Sequence, residues 1–271
     1  MELLMFLDTI PGLNFDLNDA DGETPIFYSL SGKKIEMTRF LVSKGVDLAH
    51  KSFGSGWTPI YVAATLGTIE ALEYLVSLGC NVNDPTKIMR TPLTKTAWMG
   101  RADSVKVLLK HPLINLEHKA NSDRTALQHA VWGPFGGKDG IKHGTNPRDS
   151  PECTLLLLEA GADPETRDVK GKTPLHTACQ TGGADCIPLL LKFGADINAI
   201  NNTGGTAMHS CFYFGNFKPL LALLKHLEMN PDVKLECEVI QKTGYTPMES
   251  MIYRDQHEFL LELIKIEPYL L

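Results

Sequence analysis

Lys170 to Asn198 reads K-G-K-T-P-L-H-T-A-C-Q-T-G-G-A-D-C-I-P-L-L-L-K-F-G-A-D-I-N, and its opening phrase returns along the chain. Working outward from T-P-L-H at Thr173, Thr24 begins T-P-I-F, Thr58 T-P-I-Y, Thr91 T-P-L-T, Thr125 T-A-L-Q, Thr206 T-A-M-H and Thr246 T-P-M-E. The Thr recurs every 33 or 34 residues, apart from steps of 48 between Thr125 and Thr173 and 40 between Thr206 and Thr246. A fixed period of this length marks one supersecondary unit repeated in series, here about seven times.

Thr can cap the first amides of a helix, and Pro at the first helical position loses no hydrogen bond, so each T-P pair predicts a helix start. About two turns later Gly67, Gly100, Gly182 and Gly215 predict the turn into a second helix. Its apolar residues recur at helical spacing and end in Leu41-Val42, Leu75-Val76, Leu108-Leu109, Leu157-Leu158, Leu190-Leu191, Leu223-Leu224 and Leu263-Ile264, the expected core. Gly12, Gly45, Gly79, Gly161 and Gly194 close the second helices, where a left-handed backbone is least strained without a Cβ. Lys33 and Asp255 stand where the inter-helix Gly belongs, Met89 and Asp123 where the Gly before the Thr belongs, and Pro112 where the third unit closes. Those turns are the expected weak points.

At these residues, from about Asp19 to Glu267, the chain resembles the ankyrin repeat family, whose signature is T-P-L-H-x-A. The resemblance implies an all-α helical solenoid, an ankyrin-repeat array of about seven units with short β-hairpin fingers and terminal half-caps. It would form a single domain over residues 1–271 with an inserted loop at about 134–148. It also implies that His176 and His209 tie neighbouring units together by hydrogen bonds. Met1 to Asp16 matches only the second half of a unit, and the chain stops at Leu271 soon after a last second helix. Leu3, Leu4, Phe6, Tyr269 and Leu270 therefore fit either half-repeat caps or the cut ends of a longer protein.

The 271 residues carry a net charge of −6, which argues against nucleic acid as the main partner, because phosphate binding draws on an excess of Lys and Arg. The opening M-E-L-L-M-F-L-D has no basic residue before its short apolar run, unlike a signal peptide, and no stretch is apolar enough to cross a membrane. Cys80, Cys153, Cys179, Cys186, Cys211 and Cys237 form no C-x-x-C pair and no zinc spacing. Cys80 and Cys179 occupy slots where a small Ala is usual, which fits reduced thiols and a cytoplasmic or nuclear location.

In ankyrin arrays the variable residues face a concave groove, from the finger before the Thr and from the end of the first helix. The residue just before each Thr is Glu23, Trp57, Arg90, Arg124, Lys172, Gly205 and Tyr245. The residue seven after it is Ser31, Thr65, Trp98, Trp132, Gln180, Tyr213 and Tyr253. All three tryptophans fall on these slots, and interface hot spots favour Trp, Tyr and Arg. The rings either line a groove or pad the joint between first helices. Trp98 and Trp132 on successive units, with Met99 between them, would make flat anchors on one wall, while Arg90, Arg124 and Lys172 form a parallel cationic row or three solvated charges. The pairing suits an extended acidic-aromatic segment of another protein.

The 48-residue step contains an insertion, Pro134 to Arg148, rich in Gly and Pro and made cationic by Lys138, Lys142, His143 and Arg148. Its G-G-K-D lacks the spacing of a phosphate-binding P-loop, leaving a lid over the groove or a plain surface loop. The 40-residue step is expected to lengthen a second helix and its exit near Glu228 to Glu238. No nucleophile and base stand paired, so the expectation is a non-catalytic protein-binding module with no cofactor or metal. The alternatives are a regulatory or targeting part of a larger enzyme or channel, and a small-anion or ligand sensor closing its 134–148 loop.

Overall fold

The computed structural model describes residues 9–132 and 150–233, with Phe6, Lys242, Gly244, Thr246 and Glu249. Twelve α-helices fall within these residues: α1 Pro25–Ser31, α2 Ile35–Ser43, α3 Pro59–Leu66, α4 Ile69–Ser77, α5 Pro92–Trp98, α6 Ala102–Leu109, α7 Ala126–Trp132, α8 Ser150–Glu159, α9 Pro174–Thr181, α10 Ile187–Lys192, α11 Ala207–Phe214 and α12 Phe217–Met229. They are six helix pairs, one per Thr from Thr24 to Thr206. The seventh pair, with Leu263-Ile264, lies outside the described residues.

Thr caps fix where the first helices begin after Thr24, whose own hydroxyl makes no cap. Thr58 Oγ1 accepts from the Tyr61 N–H at 3.3 Å and Thr91 Oγ1 from the Thr94 N–H at 3.2 Å. In the fifth unit the cap is reciprocal, since the Thr173 N–H donates to His176 Nδ1 at 3.3 Å. The second helices are shorter of caps and are held by burial. Odd-numbered helices pack on one another in one row and even-numbered helices in a second. Between the rows, Leu41, Leu75, Leu108, Leu157, Leu190 and Leu223 are fully buried, so the first member of each expected pair is core. Buried apolar residues from Ile26 to Leu224 form one contiguous layer, as expected when each unit hides its apolar face only against its neighbours.

The turns at Lys33, Met89 and Asp123 keep the geometry of the glycines they replace, with φ of 54°, 57° and 56°. A side chain in this left-handed region costs of order 1–2 kcal/mol. At Pro112, which has no access to that region, α6 leaves through a turn in which the Ile114 N–H donates to the His111 carbonyl at 3.1 Å. The lengthened sixth unit extends α12 to 13 residues, ending at Met229.

Each finger is a tight hydrogen-bonded turn, with no strand among the described residues. Asp168 shows the construction: its Oδ1 accepts from the N–H groups of Lys170 and Lys172, at 2.8 and 2.9 Å. Asp19 and Asn201 do the same in their own fingers. Successive fingertips are joined through the main chain: Phe53 N–H to the Asp21 carbonyl, Lys87 to Ser55, Val169 to Ser122, Asn202 to Lys170 and Lys242 to Thr203, at 2.8–3.1 Å. Glycine is required where the fingers touch. A Cβ on Gly22 would stand 2.6 Å from Phe53 N, and one on Gly171 2.8 Å from Asn202 N.

Five cysteines, Cys80, Cys153, Cys179, Cys186 and Cys211, are buried and stand outside any disulfide. Burial pushes the Cys80 thiol up to about 11 and Cys179 well above its usual range, so both act as apolar filler. Cys237 lies outside the described residues.

Candidate functional site

The finger turn ends on the residue before each Thr, and the residue seven after it sits at the last turn of the first helix, so both reach the same side of the array. The structure joins them rung by rung within a unit. Arg90 lays its guanidinium carbon 5.3 Å from the centroid of the Trp98 ring, and Arg124 stands 4.0 Å from that of Trp132. Lys172 Nζ donates to Gln180 Oε1. At Arg90 and Arg124 the cationic row expected beside an aromatic row is therefore laid over it, each guanidinium against the quadrupole of its own unit's indole.

Neighbouring side chains extend the strip in both directions. Trp57 stacks on Tyr61, ring centroids 6.0 Å apart, and remains 40% exposed. Lys172 Nζ is 5.6 Å from the Phe214 ring of the next unit, where Phe214 meets Tyr213 edge-on at 4.9 Å. Trp98, Met99 and Trp132 are half-buried at the ends of α5 and α7. Tyr245, Tyr253 and the insertion at Pro134 to Arg148 lie outside the described residues. Leu3, Leu4, Asp255, Tyr269 and Leu270 do so too.

Two residues of the strip escaped the sequence reading, although a signal for them was present. One helical turn before Trp98 and Trp132 lie Lys95 and His129, on the same face because residues three apart on a helix are neighbours. Lys95 Nζ approaches the Trp98 ring to 4.2 Å, so this indole has a second cation beside it. Burial, then the charges of Arg90 and Arg101, push Lys95 down to about 8. His129 is only 2% exposed and lies 6.2 Å from the Trp132 ring. Burial first, and then Arg90, Arg124 and Lys95, push it down to about 3, so it is neutral at pH 7.

The acid within this stretch is Asp168, whose side chain is 1% exposed and whose Oδ2 lies 3.7 Å from Arg124. Burial lowers the Arg124 and Lys172 values, and Asp168 opposes the shift in both.

The remaining ionisable clusters are structural. His176 Nδ1 accepts from the Thr173 N–H, and its Nε2–H donates to the Gly205 carbonyl of the next finger at 2.8 Å. His209 repeats the first of these bonds with Thr206, at 3.1 Å. Gln128 fills the same slot in the fourth unit, accepting from the Thr125 N–H and donating to the Lys172 carbonyl at 2.8 Å. Among the described residues, no three His, Cys, Asp or Glu side chains are grouped to hold a metal ion. No helix there is long and apolar enough to cross a membrane.

Comparison with known proteins agrees with this architecture. Residues 2–86 and 145–236 match the family described as ankyrin repeats in three copies. An ANK repeat-containing protein of Caenorhabditis elegans, nipk-1, is 28% identical over 171 residues, covering 59% of this chain and 28% of that protein. The putative ankyrin repeat protein YahD of Escherichia coli is 28% identical over 176 residues, covering 64% of this chain and 82% of its own length. Among solved structures, the ankyrin repeat domain of Bcl-3 superposes with a TM-score of 0.69 at 22% identity, covering 89% of this chain and 99% of that one. That likeness is one of fold. The chain spans less than a third of the nipk-1 protein.

Proposed function

Since the chain belongs to the ankyrin repeat family, whose arrays present extended binding surfaces, we propose that it is a non-catalytic module holding a segment of a partner protein along the Trp57 to Tyr213 face. The observation that carries this reading is the pair of cation-topped indoles, Arg90 on Trp98 and Arg124 on Trp132, half-buried on successive units. A ring already held on one face by a cation loses little freedom when a partner covers the other, and Trp, Tyr and Arg dominate interface energetics. The segment that suits it is extended, with apolar side chains against the rings and carboxylates toward the Arg and Lys groups. Tyr245 and Tyr253 would continue the strip. The five buried thiols support a reducing compartment, cytoplasmic or nuclear.

The test is quantitative capture from lysate by the intact chain and by a Trp98→Ala, Trp132→Ala variant, with retained proteins identified by mass spectrometry. A partner held by the intact chain and lost by a variant that still melts cooperatively supports the groove. Equal retention by both would refute it.

A further inference from the structure

Midway along the strip, charge of one sign accumulates without its counterpart. Among the described residues neither Arg90 nor Lys95 forms an ion pair, and Arg124 shares the charge of Asp168 at 3.7 Å. The buried Nε atoms of Arg90 and Arg124 and both ring nitrogens of His129 have no hydrogen-bond partner. Buried polar groups are normally satisfied, so four such atoms on one stretch of two adjacent units mark a place prepared for a ligand. All the charges that act on His129, from Arg90, Arg124 and Lys95, are positive. Arg101, at the start of α6, adds another positive charge beside Lys95.

We propose that Arg90, Lys95 and Arg124, gathered around His129 between the Trp98 and Trp132 rings, form a seat for one phosphoryl group carried by a phosphorylated side chain of the bound segment. The proposal rests on the groove reading and specifies its chemistry. A phosphate monoester brings a charge of about −1.5 to −2 and three acceptor oxygens, against a single charge for a carboxylate. Two cations without acidic partners, with a third shared, match the dianion, and the Arg forks can accept it through paired N–H bonds. His129 then changes role: beside an anion its protonated form is stabilised, so it supplies a further donor where the empty seat holds a neutral ring.

The test uses the intact chain and three probes, O-phosphoserine, inorganic phosphate and acetate, followed by the indole N–H signals of Trp98 and Trp132 and the ring protons of His129 in NMR. Both phosphate probes should shift these signals saturably, with an affinity about tenfold or more above acetate, as expected for charge-assisted bonds to a dianion. O-Phosphoserine binding more tightly than inorganic phosphate points to a modified protein segment as the source, and the reverse order to the free ion. An Arg90→Gln, Lys95→Gln variant should lose about tenfold or more of the phosphate affinity. The intact chain supplies an independent check with O-phosphoserine, whose second pKa of about 6 leaves it mostly dianionic at pH 7: its affinity should fall from pH 7 to pH 9 as Lys95, faced by Arg90 and Arg101, gives up its proton. Shifts unchanged in the variant, or acetate binding as well as phosphate, would overturn the seat. Neither result touches the groove reading, which is tested on the tryptophans.

Discussion

Arg124 holds its guanidinium carbon 4.0 Å from the centre of the Trp132 ring, a contact that spans the finger and the first helix of one unit. The same guanidinium reaches 3.7 Å to Asp168 of the next unit, so one side chain links the half-buried Trp132 ring to the joint behind it. Asp168 is buried, and its carboxylate is the charge left over when Arg124 is removed.

Arg124→Ala should therefore destabilise the array by about 3 kcal/mol, the low end of the roughly 3–5 kcal/mol for breaking one partner out of a buried pair, since Arg124 keeps some contact with solvent. Arg124→Ala with Asp168→Asn keeps the finger's acceptor oxygen and deletes the stranded charge, and should recover part of that loss. Urea unfolding of the two single variants and the double variant measures the coupling. Strict additivity would show that the pair does not interact.

Gly171 and Gly182 both lie in the left-handed region, at φ 70° and 88°, but only Gly171 faces a neighbouring backbone. Gly182→Ala should cost about 1–2 kcal/mol of strain. Gly171→Ala must also push Asn202 away and should cost clearly more. Equal midpoints in thermal melts of the two variants would mean the fingertips separate freely.

Met89 is the reverse case, a half-exposed side chain at φ 57°. Met89→Gly relieves the strain at the expense of a more flexible unfolded chain, for a net gain of about 0.5–1 kcal/mol. A lowered melting temperature would count against the strain argument.

His176 and His129 make the array acid-sensitive. Burial holds His176 near 4 and His129 near 3, whereas in the unfolded chain both titrate near 6.5. Below pH 6.5 the unfolded state takes up protons that the folded state refuses. Stability is therefore full above that pH and falls by up to about 1.4 kcal/mol per pH unit for each His, down to pH 4 for His176 and pH 3 for His129. His176→Gln, which copies Gln128, should keep most of the stability at pH 7 and flatten the slope between pH 6.5 and 4. An unchanged slope would place the sensitivity elsewhere.

Trp57 offers a cleaner probe of binding than its two half-buried counterparts, because its ring is the most exposed of the three. Trp57→Ala should weaken partner capture by about 1 kcal/mol or more while shifting the melting temperature by only a few degrees. A large loss of stability would make the Trp57 and Tyr61 stack a structural element.

The Thr-to-Thr spacing and the apolar pairs made the helix pairs and the buried leucines legible, since each follows from backbone geometry with a residue preference, whereas the turns at Lys33, Met89 and Asp123, expected to be weak, keep the left-handed geometry. The pairing of Arg90 with Trp98 was not, because the eight-residue offset between finger and helix end matches no helical or strand period. Lys95 and His129 were hidden for another reason. Counting only the last positions of each first helix passed over the turn before, and the sequence carries no mark of which lysine will lose its solvent. His129 sits one residue past the slot that His176 and His209 share, so the repeat pattern gives it no place.

Gln128 of α7 reaches the Lys172 carbonyl, and Val169 N–H the Ser122 carbonyl, across the very step where the repeat is longest. α7 and α9 still pack in register with the other first helices although α8 begins only at Ser150. The stack is thus closed on both sides of the stretch from 133 to 149 by bonds that do not involve it. Chain length at this point is a free variable of the architecture, a natural socket in which a tag, a second binding loop or a whole inserted domain could be carried beside Trp132 without re-registering the units on either side.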